Sequence, residues 1–254
     1  MFTIISTVNN ASKAKEYLLK GLARQTSKHQ LIIIDNEKGS FKSAASAYNS
    51  ATQKATGDYL MFVHQDVFLP TNNWLQQAED ALSSLSKTGL VGVAGMVKPK
   101  AISQLDACLR FFTLKRMYAE KIWFLKYGRG NVIHGKNRSL WHANQIKDPA
   151  TVQTVDELLL IIPAEVFKKT KFDESTCKGW HLYGTDYSLS IQAQGYQTYV
   201  LPFWVFHASE GKTDSSFHCT MSKLVKKHKK ENIINTTNGL FPTNPALFRL
   251  FYPN

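Results

Sequence analysis

Two rhythms of apolar and polar positions alternate along the first hundred residues. Phe2 to Val8 switches between apolar and polar side chains, the period of a strand with one buried face, and Asn9 and Asn10 follow as loop formers. Ser12 then reads as the cap of a helix whose Ala14, Tyr17, Leu18 and Leu22 recur at helical spacing. Leu31 to Ile34 are four consecutive apolar residues, the pattern of an inner parallel strand covered on both faces, and the run ends in Asp35. Ala44, Ala47, Tyr48, Ala51 and Ala55 form the next helical face, small enough for close packing on a sheet, and Gly57 stops it. Tyr59 to Val63 is a third strand that delivers His64, Gln65 and Asp66 ahead of Pro70. A helix over Trp74 to Leu85 and a strand over Leu90 to Met96 continue the alternation. Strand, helix and short connection in turn predict right-handed βαβ units, hence an α/β fold with a mostly parallel sheet and helices on both faces.

The pattern lapses between residues 98 and 151, a predicted insertion into the α/β domain. It is aromatic and basic, with Phe111, Phe112, Lys115, Arg116, Tyr118, Trp123 and Trp141 among others. Its aromatics serve either a core of their own or direct substrate contact. Order returns with a strand over Val155 to Ile162, and Pro163 marks the start of a helix. A further helix spans Thr185 to Gln194, with Thr185 as its cap, Asp186 in its first turn and Gly195 closing it. Thr198 to Leu201 reads as an edge strand ended by Pro202, and Val205 to His207 as a short extended piece. One domain over residues 1–210 is expected, followed by a basic extension over 211–254 that carries Lys223, Lys226, Lys227, Lys229 and Lys230.

Composition narrows the class. The chain has 254 residues, enough for a full core, and 43% of them are hydrophobic. No apolar run approaches the roughly 18–20 residues that span a bilayer. MFTIISTVNN lacks the basic start and cleavage site of a signal peptide, so a cytoplasmic protein is expected. Three cysteines without CxxC spacing offer neither a disulfide framework nor a zinc site. A formal charge of +12 draws the chain toward phosphates, whether of nucleotides, nucleic acids or anionic lipids.

Candidate chemistry gathers at strand ends and helix starts, where Asp35, Asp66 and Asp186 stand; in a parallel sheet such distant carboxylates can converge on one cleft. Read alone, Asp35 serves equally as a turn residue and Asp186 as a favourable anion at a helix N-terminus. His64, Asp66 and the distant His207 form a plausible site for a divalent ion that holds a diphosphate.

The order TIISTVNN, LIIIDN, YNSATQKATGDYLMFVHQDV, VDELLLIIPAEVF, FDE, GWHLYGTDYSLSIQAQGY and FWVFHAS resembles the nucleotide-sugar glycosyltransferases of the GT-A fold. More narrowly, it resembles the bacterial family-2-like branch in which HQD replaces the usual DxD. The likeness covers residues 2 to 210, apart from most of 98–150. It implies an inverting transferase that moves a sugar, from a UDP-sugar above all, to a hydroxyl of a glycan or lipid-linked acceptor in bacterial surface polysaccharide synthesis. It places Asp35 and Asn36 at the nucleoside and His64, Gln65 and Asp66 at the ribose and diphosphate. Mn2+ or Mg2+ falls on Asp66 with His207, and the catalytic base on Asp186. Asp156, Glu157, Trp180, His181 and Tyr183 become acceptor contacts, with Asp156 and Glu157 as rival bases. Two departures stand out: His64 replaces the first Asp of the motif, and Thr185 replaces the usual acidic neighbour of Asp186. The competing readings are a degenerate GT-A fold that only binds, and a basic module for nucleic acid or an anionic surface, although no nucleic-acid motif accompanies the lysines. The same lysines suggest attachment to the inner face of the cell membrane.

Overall fold

The computed structural model describes residues 1–100, 103–115, 119–209 and 215–252, without the side chains of 110–115, 119, 120 and 215. Arg116 and Tyr118, with the side chains of Phe111, Phe112 and Lys115, therefore lie outside the described residues.

Strand β1 (Phe2–Val8) leads into α1 (Ala11–Ala14), which runs through the π-helical Lys15–Leu19 into α2 (Lys20–Leu22). Asn10, rather than Ser12, is the cap: its side chain accepts from the Lys13 amide at 2.9 Å. There follow β2 (His29–Asp35), α3 (Ala44–Ala51) capped by Ser43, β3 (Tyr59–Val63), β4 (Val67–Phe68), α4 (Trp74–Ser84), β5 (Thr88–Gly92) and β6 (Ala94–Met96). The inserted region contributes α5 (Gln104–Lys115), α6 (Ala119–Tyr127), β7 (Gly128–Gly130), β8 (Val132–His134), β9 (Ser139–Leu140) and β10 (Ala150–Thr151). Then come β11 (Thr154–Val155), β12 (Leu159–Pro163), α7 (Ala164–Lys169), α8 (Tyr183–Gln192), β13 (Gln197–Val200) and β14 (Val205–His207). The chain continues through α9 (Ser215–Lys227), β15 (Ile233–Thr236), β16 (Gly239–Pro242) and α10 (Pro245–Phe251).

Seven strands form the central sheet in the order β10-β13-β5-β12-β3-β1-β2. β1 runs parallel to β2 and β3, and β13 parallel to β5, while β12 lies antiparallel between β3 and β5. Each face carries its own core. On one, Ile4, Met61 and Val91 pack under Leu18 and Leu22 of the first helical stretch and Trp74 and Leu75 of α4. On the other, Ile5, Phe62 and Leu160 meet Ala44 and Tyr48 of α3, Phe167 of α7 and Tyr187 of α8. The expected layering of helices on both faces is present.

Several expectations need correction. β2 is the sheet's edge, not an inner strand: Ile32 and Ile34 face α3, but Leu31 and Ile33 are exposed, and a short apolar run does not itself distinguish the two positions. β13 is interior, because the two-residue β10 covers its outer side. The run Leu90–Met96 divides between two sheets, and Val155–Ile162 is broken by a turn at Glu157 and Leu158. Thr185 lies inside α8; its N-cap is Leu182, held in the left-handed region at φ 68°. Residues 215–252 are not a tail. β15 binds the main body through Gln153 Nε2 to the Ile233 carbonyl at 2.7 Å and Thr154 Oγ1 to the Asn235 carbonyl at 2.6 Å. α9 buries Phe217, Met221 and Leu224 against Leu182 and Leu189.

Candidate functional site

Strand direction explains where the polar residues meet. β1 and β3 are parallel and end together at Val8 and Val63, whereas antiparallel β12 begins at that same edge, with Leu159 opposite Val63. The loop after β3 and the turn before β12 must therefore touch, and the His64 amide donates to the Leu158 carbonyl at 3.0 Å. β14 then pairs with β4 so that His207 lies opposite Val67, beside Asp66. Residues as far apart in the sequence as His64, Asp156 and His207 thus open on one cleft of about 1220 Å³, which is also lined by Asn36, Gln65, Trp180, His181 and Tyr183.

His64, Asp66 and His207 form one cluster, with a ligand atom from each lying within 4.8 Å of the others. His207 Nε2 stands 3.4 Å from Asp66 Oδ1. Burial opposes ionisation of Asp66, but the hydrogen bond and charge of His207, together with Lys13, hold its carboxyl well below the usual range. Burial and repulsion from His207 push the His64 imidazole down to about 4, against the attraction of Asp66 and Asp156, so its lone pair is free at neutral pH. Two imidazoles and one carboxylate are a donor set suited to Mn2+ more than to Mg2+, which prefers oxygen alone. Gln65 plays a different part: its carbonyl oxygen accepts from the Asn9 and Asn10 amides at 3.1 and 3.0 Å and locks the loop after β1 to the loop after β3.

Asp156 and Glu157 line the same cleft. Asp156 accepts from the Leu158 amide and from the Thr237 hydroxyl of the β15–β16 turn. Glu157 is half-buried at the N-terminus of α8, where its Oε1 accepts from the Gly184 amide at 3.1 Å. Burial and the adjacent Asp156 charge push the Glu157 carboxyl up to about 8, despite amide donors at Leu182, Gly184 and Thr185 that favour the anion. A side chain at Gly184 would place its Cβ 2.9 Å from Glu157 Cγ, so glycine there is what lets the turn and the helix approach.

Two expected site residues stand apart. Asp35 is exposed and accepts from the Glu37 amide at 3.0 Å, a turn contact; its neighbour Asn36 lines the cleft instead. Asp186 is 2% exposed and absent from the cleft wall. Its Oδ2 accepts from Lys227 Nζ and its Oδ1 meets His228 Nε2, both at 2.7 Å, and Lys227 also bonds Asp173 at 2.8 Å. Its oxygens are committed to the end of α9, which is not the situation of a group that must accept a substrate proton. Sequence reasoning missed Lys13, 3.7 Å from Asp66, and Thr237, 81 residues from the carboxylate it binds. Neither sits in a motif, and the fold alone brings them in.

Comparison with known proteins adds to this geometry. Residues 3–231 match the model of the Glycosyltransferase like family. A protein of Fuscovulum blasticum named ATP synthase subunits region ORF 6 is 24% identical over 236 residues, 91% of this chain and 84% of that protein. The mannosyltransferase PcManGT of Pyrobaculum calidifontis, solved with GDP-Man and Mn2+, superposes with a TM-score of 0.53 at 14% identity, over 90% of this chain and 64% of its own. S. aureus TarS 1-349 with UDP-GlcNAc gives 0.56 at 11% identity, over 91% of this chain and 69% of its own. GalNAc-T7 with UDP, GalNAc and Mn2+ gives 0.54 at 12% identity, over 91% of this chain but only 47% of its own. At these identities the likeness is one of fold.

Proposed function

Because the chain belongs to the Glycosyltransferase like family and has the GT-A fold, we propose that it moves a sugar from a nucleoside diphosphate donor to an acceptor hydroxyl with inversion at the anomeric carbon. The observation that carries this reading is one cleft lined by His64, Asp66 and His207 together with Asp156 and Glu157. Such a transfer needs positive charge on a departing diphosphate and a base beside the attacking hydroxyl. The two groups of residues are disposed to meet those two needs.

In this proposal Asp66 and His207, joined by His64, would hold one Mn2+ or Mg2+, whose charge when bound neutralises the diphosphate. Asn36 contacts the nucleoside, and Gln65 keeps the two loops around it in register. Trp180, His181 and Tyr183 form the wall against which the acceptor rests. The acceptor oxygen bonds to the anomeric carbon as that carbon's bond to the diphosphate oxygen breaks, and the hydroxyl proton passes to Asp156. Asp156 takes the role that the sequence gives Asp186, since it lines the cleft and its carboxylate is held by one amide and one hydroxyl rather than by a lysine and a histidine. Glu157, protonated in part at neutral pH, positions the start of α8 beside it.

UDP or UDP-GlcNAc occupies two of the three solved structures described above and GDP-Man the third, so a UDP-sugar is the donor we favour. The acceptor is a hydroxyl of a glycan or lipid-linked glycan, with bacterial surface polysaccharide synthesis as its setting. A panel of UDP- and GDP-sugars tests the reading: the true donor raises the melting temperature, because it binds only the folded chain. It also releases nucleoside diphosphate when an acceptor is added. A panel in which no nucleotide-sugar shifts melting would refute the proposal.

A further inference from the structure

The α5–α6 hairpin has two unlike faces. Inward, Ala107 and Cys108 of α5 and Trp123 and Phe124 of α6 pack with Met96, Ile233 and Leu240. Outward, Leu105 and Leu109 stand one turn apart on α5, and Ile122 and Leu125 less than one turn apart on α6. With Leu250 on α10, which packs beside α5, these five aliphatic side chains are 44% to 68% exposed. Soluble surfaces scatter exposed aliphatics singly, and a group of them on adjoining elements marks a surface that meets something apolar. No described helix is long and apolar enough to cross a membrane, so the hairpin can lie only on or against its partner.

Charge selects the partner. Residues 100–130 hold seven Lys and Arg against two Asp and Glu, and Lys121 and Lys126 are exposed beside Ile122 and Leu125. A second copy of this chain would set like charges against one another. A nucleic acid would satisfy the lysines and leave the aliphatic side chains in water. An anionic lipid surface satisfies both, taking the aliphatic side chains at its acyl boundary and the lysines at its headgroups. We propose that the α5–α6 hairpin lays this protein on an anionic phospholipid bilayer, with Leu105, Leu109, Ile122 and Leu125 in the acyl boundary and the lysines at the headgroups. Lys121 and Phe124 of α6 also line the cleft, so a docked hairpin sets the cleft mouth at the lipid surface. The basic end of α9 is a poorer anchor, since Lys227 is already tied to Asp173 and Asp186.

The inference does not depend on the catalytic reading, and its test uses no nucleotide. The full chain is co-sedimented with vesicles of phosphatidylglycerol and phosphatidylcholine in equal parts, and with vesicles of phosphatidylcholine alone. Wild type pellets with the anionic vesicles and stays in solution with the neutral ones. Ile122→Glu with Leu125→Glu, and separately Leu105→Ser with Leu109→Ser, each lower partitioning by about tenfold or more while the unfolding midpoint holds. Replacing Lys223, Lys226, Lys229 and Lys230 by glutamine lowers it less. The proposal is overturned if wild type ignores anionic vesicles, or if both aliphatic variants bind as wild type does. It is equally overturned if the chain sediments as a dimer that those variants dissociate.

Discussion

At the residue scale, the two carboxylates Asp156 and Asp186 are the sharpest test of the site. Asp156→Asn keeps size and hydrogen bonding but cannot take a proton, so kcat for transfer should fall by about 10² or more with donor affinity retained. Asp186→Ala should act on stability instead: it strands Lys227 and His228 and costs about 3–5 kcal/mol, read as a lower unfolding midpoint. The reverse pattern, with Asp186→Asn losing transfer at full stability and Asp156→Asn unaffected, would return the base to Asp186. Glu157 adds a pH signature. Its carboxyl is raised in the folded chain, so the stability it contributes is complete below its ordinary value of 4.5 and is lost as pH climbs through about 8. Unfolding midpoints followed from pH 4 to 9 should therefore decline more steeply for wild type than for Glu157→Gln. That Asp66 and His207 meet in one cleft was legible in the sequence, because both stand at strand ends of an α/β sheet. The engagement of Asp186 was not, since its partners come from α9, 41 and 42 residues away, and ion pairing at that distance leaves no local pattern.

At the scale of elements, the alternation of periods identified β1, β2, β3 and α3, α4 and α7, and it failed where neighbours decide the outcome. Leu31 to Ile34 reads the same whether a strand is inner or outer; only the position of β2 at the end of the sheet exposes Leu31 and Ile33. The turn at Glu157 and Leu158 interrupts what looks like one apolar strand, and that interruption is what sets Asp156 and Glu157 in the cleft. Gly57 is a further case: it reads as the helix stop, but α3 ends at Ala51 with one 3-10 turn to Lys54, and the constraint on Gly57 is tertiary. A Cβ there would lie 2.6 Å from the Thr3 amide nitrogen and 2.7 Å from the Met1 carbonyl oxygen, both backbone atoms that cannot yield without moving β1. Gly57→Ala should destabilise the β1–β3 pairing by about 1–3 kcal/mol, measured as a drop in denaturant midpoint with an unchanged slope.

At the scale of the whole molecule, the segment after residue 210 changes most from expectation. Its basic composition suggested an appendage, yet Phe217, Met221, Ile234 and Phe241 are buried, and Asn235 accepts from the buried Trp123 indole at 3.0 Å. A chain ending at residue 210 should lose cooperative thermal unfolding by circular dichroism, because it uncovers Leu182, Leu189 and Trp123 together. The excess charge of +12 is partly spent inside the fold, as at Lys227, while Lys42 and Lys121 bring positive charge to the cleft wall. The central claim is that this cleft turns over a nucleotide-sugar with help from His64, Asp66 and His207. The direct measurement is release of nucleoside diphosphate from a panel of UDP- and GDP-sugars, with Mn2+ or with a chelator, by wild type and by Asp66→Asn. The account predicts release by wild type with Mn2+, and its loss both on chelation and in Asp66→Asn while the variant keeps its melting temperature. Release by a folded Asp66→Asn at the wild-type rate would contradict it.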